Sequence, residues 1–345
     1  MQKTSLSLLC MSNFLFSQNL EISGAVHASF DAVSYSNTKP QRDDLSTILS
    51  SRNSNIGLKH SQELSSTIEG FIIANEYYTG SQGEYETEGE RYIGLKNKTY
   101  GTVSFGQMDS PAYKTLKKVD PLFSRIGEYK NITKGFSNLN SYMHDQPYRD
   151  TAAYSKQFLN NFQFDFSIVT DQDSEITDEH ITGNTNEPHA LGLSYNSLNT
   201  FLSITLTELY KNGSTDAEKS YRIGAKHSWD NFIFSGLYDH AKDYKMQTHQ
   251  AYMLSATIKQ DSIRYTAQIN YAKNIDEDKN NGAIFQLATD FILNKGSYLY
   301  IQFAEAEIEN DAYFEYGQLN YDKDVALSFG LVYKFSSEIK VVPKQ

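Results

Sequence analysis

Asp276, Asp278, Asn280 and Gly282 are the nearest this sequence comes to a cation-binding loop. A calcium loop sets oxygen ligands at alternate positions so that they converge on one ion. Here the glycine falls one place too late and no helical pattern flanks the run, so a polar hairpin turn accounts for it. Asp178, Glu179 and His180 are metal-ligating types in sequence, but they sit in a long polar stretch that reads as a solvated outer loop. The eight histidines are scattered, with no HExxH, CxxC or GxSxG pattern. Ser, His and Asp are frequent enough that a catalytic set cannot be picked from them. No enzymatic function, metal or cofactor is expected. The single cysteine, Cys10, excludes an intramolecular disulfide framework. Net charge is −11, which argues against a nucleic-acid partner, since that needs a basic face.

With covalent chemistry set aside, the elements themselves carry the information. In residues 161–169, NFQFDFSIV, Phe162, Phe164, Phe166 and Ile168 fall on one parity. Asn161, Gln163, Asp165 and Ser167 fall on the other. Side chains alternate across a strand, so one face is aromatic and the other polar. Residues 21–32, 262–271 and 325–335 repeat the pattern. Further strands are expected at 55–64, 67–77, 91–97, 101–108, 152–158, 189–197, 200–211, 221–228, 231–241, 250–259, 282–293 and 297–308, which brings the count to 16. Such strands need oil on one side and water on the other, which a closed barrel in a membrane provides.

Composition agrees. Only 39% of the 345 residues are hydrophobic, below the roughly 45–50% of soluble domains. Yet 25 Tyr and 20 Phe are present against one Trp. No stretch approaches about 18 apolar residues, so no transmembrane helix is expected. Tyr77, Tyr78, Tyr210, Tyr238, Tyr298, Tyr300 and Tyr333, at strand ends, are expected to form interfacial girdles. Lys3 and the apolar run 6–16 resemble an export signal, with cleavage expected after Ser17.

Connections come in two sizes. Those at 97–101, 158–161, 197–199, 229–231, 260–261 and 294–296 are short; those at 37–54, 79–90, 171–188, 211–220 and 276–281 are long and polar. This alternation is a barrel habit, with long loops facing outward. No second domain is apparent. Residues 109–150 are anomalous: no two-faced strand appears, yet Tyr113, Leu116, Val119, Leu122, Phe123, Tyr129, Ile132, Phe136 and Leu139 are apolar. A loop that long is usually functional or disordered, and this one is greasy enough to pack against something, the lumen being nearest.

Residues 91–123, RYIGLKNKTYGTVSFGQMDSPAYKTLKKVDPLF, resemble the Gram-negative general porins. The shared features are a strand ending Gly-Leu-Lys, a turn, Gly-Thr-Val-x-Phe-Gly-Gln, a loop opening Asp-Ser-Pro-x-Tyr, and then Val119-Asp120-Pro121. Residues 51–63 resemble the family's earlier strand pair, in which an Arg precedes a Gly-x-Lys turn. The likeness covers about half the chain at motif level and thins after residue 170. It implies an all-β, 16-stranded antiparallel transmembrane barrel over 18–335, with an extension at 336–345 and an inward-folded third loop at 109–150. It also implies a homotrimer in the outer membrane, in contact with the lipid bilayer and lipopolysaccharide.

In the family, inward arginines on the wall oppose acids on this loop, and the resulting field selects solutes by size and charge. By that resemblance Arg52 matches a wall arginine. Arg91 and Arg149 are each displaced by two residues from wall positions, a shift that keeps the face of a strand. Asp120 matches the loop acid and Glu128 is the candidate for a second; a turn before Pro121 is the alternative role for Asp120. Lys114, Lys117 and Lys118 are candidate pore cations, and Gln107 stands where the family usually has Arg. Phe335 closes the last strand, but the chain runs on through SSEIKVVPKQ, where the family usually ends on its aromatic.

The expected function is a water-filled channel for passive diffusion of small hydrophilic solutes and ions. Net charge and Gln107 favour a mild cation preference, whereas the three loop lysines hint at anions. A solute-selective porin and a plugged adhesive or structural barrel are the alternatives.

Overall fold

The alternating segments pair in sequence order and close on themselves. In the computed structural model, described over residues 19–34, 46–81, 84–129, 132, 147–169, 185–211, 217–242, 248–274, 281–294, 296–308 and 324–339, 16 strands form one antiparallel barrel. They are β1 (Asn19–Ser34), β2 (Ser46–Glu63), β3 (Ile68–Ser81), β4 (Glu84–Asn97), β5 (Gly101–Asp109) and β6 (Pro147–Phe158). Next come β7 (Phe162–Val169), β8 (Thr185–Asn196), β9 (Thr200–Lys211), β10 (Ala217–Trp229) and β11 (Phe232–Lys242). The ring is completed by β12 (Thr248–Gln260), β13 (Ile263–Asn274), β14 (Asn281–Asn294), β15 (Ser297–Ile308) and β16 (Asp324–Ile339). Pairing of β1 with β16 closes it, so no edge is left with unpaired backbone groups.

Register makes the two faces continuous, because directly opposed residues share a face. Phe164 lies opposite Leu193, Leu193 opposite Ile204, and Ile204 opposite Ile223. All four are exposed, forming an apolar outer surface. On the other parity Thr205 lies opposite Arg222 and Arg222 opposite Asp239; Thr205 and Arg222 are buried. The face expected to be wet in residues 161–169 is thus the inner one, with Ser167 buried and Phe164 outward.

Strands run longer than the alternation predicts. β2 begins at Ser46 where residues 37–54 were expected as loop, and β3 and β4 together occupy all but two residues of the loop expected at 79–90. The apolar parity is needed only where lipid touches the wall. Beyond that height the two-residue signal lapses while the backbone ladder continues. At the other end, β16 continues past Phe335 to Ile339, with Ile339 opposite Leu20, so part of the expected extension is barrel strand. The short turns are tight: three residues, 159–161, join β6 to β7, with Leu159 and Asn160 both at positive φ.

The tyrosines divide. Tyr221, Tyr238, Tyr252 and Tyr271 form a tilted row on the outer face with centroids 5.0–6.3 Å apart, and Tyr78 and Tyr333 are also outward and exposed. Tyr300 instead points inward, 2% exposed, with its hydroxyl 3.0 Å from His27 Nε2. Tyr77 and Tyr298 also face inward, against Lys117 and Arg125. A phenol at a strand end serves either face, and parity decides which. The side chain of Tyr210 lies outside the described residues, as do residues 1–17, 178–180, 276–280 and 340–345.

Candidate functional site

The segment after β5 begins with a helix that the alternation does not reveal, α1 (Pro111–Val119). Its local cause is legible: Ser110 accepts the Tyr113 N–H at 3.0 Å as N-cap, Pro111 occupies the first helical turn, and Lys117 and Lys118 lie in the last. The helix packs on β7, β8, β9, β10 and β11. Two glycines let it approach. A Cβ on Gly224 would lie 2.5 Å from Thr115 Cγ2, and one on Gly192 would lie 2.9 Å from Pro111 Cβ. Thr115 Oγ1 then reaches Ser203 Oγ at 2.9 Å.

Beyond α1 the chain is pinned by inner-face side chains from other sectors of the ring. Gln286 and Gln302 both donate to the Ile126 carbonyl, at 2.8 and 2.7 Å, and Asn270 donates to that of Gly127 at 3.0 Å. Asn53 of β2 donates to Ser124 Oγ at 2.8 Å. Arg222 makes a bidentate pair with Asp239, both bonds 2.7 Å, and donates to the Ala112 carbonyl, while Tyr129 donates to Asp239 at 2.9 Å. Arg125 lies 2.8 Å from Asp290, which also pairs with Arg264, and its guanidinium sits 4.2 Å over the Tyr300 ring. The apolar residues of the segment, Tyr113, Leu116, Val119, Ile126, Tyr129 and Ile132, form one core with Leu237, Met253, Ile284 and small wall alanines. This is the packing that the greasy residues of 109–150 called for; Phe136 and Leu139 lie outside the described residues.

On the other side of α1 space remains. A cavity of about 250 Å³ lies between the start of the helix and the wall of β2–β7. Its charged lining comprises Lys59, Glu69, Lys96, Asp109, Lys114 and Asp165.

The expected pore charges fall differently from their sequence assignments. Arg52 is inward but locked to Asp31 at 2.7 Å, with Ser29 beside it. Arg91 shares the parity of the exposed Ile93 and Leu95, is 51% exposed and pairs with Glu76 of β3, so it stands on the outer face. Gln107, directly opposite Arg91, shares that outer parity and does not line the interior. The two-residue shift preserved a face, as a strand requires, but the face is the outer one. Arg149 is exposed beside the irregularity where Gly106 pairs with Thr151 and Met108 with Tyr148, next to the inward, buried Tyr148.

Asp120 is not a pore acid. It is 5% exposed and accepts the backbone N–H groups of Leu122 at 2.9 Å and Tyr129 at 3.3 Å, so it ties the turn after α1. Burial, with the Glu128 carboxylate adding to it, pushes its pKa up to about 6. Glu128 accepts the Ser124 backbone N–H within the same turn. Lys117 is held by Asp109 at 2.7 Å and lies over the Tyr77 and Tyr113 rings. Lys118 is exposed, 5.9 Å from the Phe201 centroid, and its carbonyl accepts from Lys226. Of the loop lysines only Lys114 lines the cavity. The resemblance holds Lys59 and Lys96 within its Gly-x-Lys and Gly-Leu-Lys motifs but gives them no pore role, and it does not point to Arg125, Arg222, Asp239 or Asp290; all but Arg125, a loop residue, lie on wall strands where a charge on the polar parity carries no special mark.

A model of the Gram-negative porin family matches residues 4–312. Among solved structures, the anion-selective porin of Comamonas acidovorans superposes with a TM-score of 0.76 at 16% identity, covering 92% of this chain and 99% of that one. OmpF of Salmonella typhi, in complex with daunomycin, gives 0.68 at 14% identity over 92% and 97% of the two chains. The trimer form of OmpT from Vibrio cholerae gives 0.65 at 10% identity over 92% and 99%. The comparison with curated proteins finds no match. With the family model spanning most of its length and a closed barrel of 16 strands to match, the chain belongs to the Gram-negative porin family and is an outer-membrane β-barrel channel.

Proposed function

We propose that the protein carries small hydrophilic solutes and ions across the outer membrane by passive diffusion, and that its passage is eccentric. Residues 110–129 and 132 lie within the barrel as the constriction and fill the side of β7–β15. Solutes pass on the other side, between α1 and the wall of β2–β7. The observation that carries this reading is the placement of the cavity: space remains beside α1 and the polar faces of β2–β7, although Asn53 and Tyr77 reach the segment from that side. The opposed ion pairs inside the barrel act first as anchors, because Arg52, Arg125, Arg222 and Arg264 each meet a carboxylate within 2.8 Å. Assembly as a homotrimer follows the family resemblance and the trimer form of the Vibrio cholerae neighbour; lipid and lipopolysaccharide surround the outer face.

Purified protein in planar bilayers should give stepwise conductance that rises with salt. A membrane that stays silent refutes the reading. A plugged barrel is the second reading, favoured by how tightly residues 112–129 pack. Liposome swelling with sugars of increasing size separates the two: uptake of the smallest sugars supports the passage, and no uptake at any size supports the plug.

A further inference from the structure

Cations inside the barrel differ in whether a carboxylate meets them. Arg52, Lys117, Arg125, Arg222 and Arg264 are each matched by a carboxylate. Lys59, Lys96 and Lys114 are not: among the described residues none of the three side chains donates a hydrogen bond or enters an ion pair, all three are exposed, and all three line the same cavity beside α1. Asp109, which also lines it, is neutralised by Lys117. Two carboxylates remain, Glu69 and Asp165. Glu69 lies opposite Lys96 in register, and Asp165 is held by the Gln163 amide at 2.9 Å. At the mouth, Glu21 lies opposite Lys59. With Asp109 set against Lys117, the lining leaves three ammonium groups against two carboxylates, and Glu90 beside Asp109 and Glu21 at the mouth are further acids nearby.

The rest of the lining suits an anion with a carbon body. Thr102, Ser104 and Ser155 put hydroxyl donors on the wall. Phe71 and Tyr92 meet edge to face at 6.1 Å and supply an apolar surface beside the ammonium groups. A flexible lysine that forms no pair keeps its three donors for a passing solute, and several of them lower the barrier for negative charge without trapping it.

We propose that this cavity is a transit site for small organic anions, in which Lys59, Lys96 and Lys114 receive the carboxylate or phosphate group. The proposal rests on the porin reading and names the solute class of its passage. Net surface charge governs solubility, whereas selectivity follows the charges within a Debye length of the path.

The test uses the full chain in planar bilayers under a potassium chloride gradient, with heat-modifiable electrophoretic mobility confirming that each variant forms a barrel. The unmodified channel should pass chloride in preference to potassium. Each of Lys59→Gln, Lys96→Gln and Lys114→Gln should lower the chloride-to-potassium permeability ratio about twofold, and the triple variant about tenfold, as expected for unit charges a few ångströms from the path in screened water. Glu69→Gln should raise the ratio. Lys219→Gln, which removes an exposed lysine paired with Glu208 away from the cavity, should leave it unchanged. Millimolar benzoate and inorganic phosphate should each reduce chloride current in the unmodified channel and lose that effect in the triple variant. A channel that prefers potassium, or a triple variant with an unchanged ratio, overturns the anion site and leaves the porin reading standing. Absence of any channel overturns both.

Discussion

Replacing Asp239 by alanine should release the inner segment while leaving the barrel closed. Asp239 accepts two bonds from Arg222 and one from Tyr129, and Arg222 in turn holds the Ala112 carbonyl. One carboxylate therefore fixes both the start of α1 and the chain ten residues past its end. Arg222 is 3% exposed and Asp239 16%. Removing one member of a buried pair strands the other charge, at a cost of about 3–5 kcal/mol. The partial access of water at Asp239 sets the lower end, so about 3 kcal/mol is expected, with the lost Tyr129 bond adding roughly 1 kcal/mol. That corresponds to more than about a hundredfold shift toward a released segment. The barrel wall is held separately, by eleven register pairs between β10 and β11 alone. Single-channel recordings should show larger open-channel noise and higher mean conductance, and electrophoretic heat-modifiability should persist. The double variant Arg222→Met, Asp239→Leu should recover most of the stability, since it leaves no uncompensated charge. Unchanged conductance and noise in Asp239→Ala would refute the anchoring role. Loss of the heat-modifiable band would instead make the pair a brace of the wall.

Three further outcomes test the placement of faces and turns. Phe164→Lys puts a charge on the outer face and should cut the yield of folded, heat-modifiable barrel, at up to about 2–4 kcal/mol near the bilayer midplane; Gln163→Lys, one residue away on the inner face, should fold normally and shift single-channel conductance. Gly224→Ala sets a Cβ 2.5 Å from Thr115 and should cost about 1–3 kcal/mol through displacement of α1, seen as altered conductance with the barrel intact. Asp120 has its folded-state pKa raised from 3.8 to about 6, so the folded turn binds a proton more tightly than the unfolded one. The turn around it should gain stability as pH falls from above 6 toward 4 and be least stable above 6; amide exchange at Leu122 and Tyr129, corrected for intrinsic rate, should slow over that window. An Asp120→Ala variant that keeps the same pH trend would assign it to another group.

The likeness of residues 91–123 to a known motif tells where the local turns and helix start fall but not which way the charges face, and the reason is geometric. The Asp-Ser-Pro opening fixes a capped helix start because capping is local. Val-Asp-Pro fixes a turn because Asp120 can reach the N–H two residues ahead. Whether that carboxylate then faces the pore depends on how the turn sits against Gln268 and Glu128, and these are remote in sequence or seen only on folding. Arg91 shows the same limit: its strand was expected, but nothing within residues 91–97 says which parity meets lipid, since Ile93 and Leu95 alternate with Tyr92 and Gly94.

The sequence by itself determines the number and order of strands, the short turns, the two-faced wall and the chain's need to bury the apolar residues of 109–132. These follow from side-chain period and local backbone preference, which act over a few residues. The tertiary structure alone decides which charges meet one another and which stand without an ion pair. Arg52 finds Asp31 across 21 residues, Arg222 finds Asp239 across a hairpin, and Arg125 finds Asp290 from the far side of the chain. Lys59, Lys96 and Lys114 come to one cavity from two strands and a helix. Hairpin register sets the first two meetings and the seating of the inner segment against the wall sets the others, and neither leaves a period in the sequence to be read.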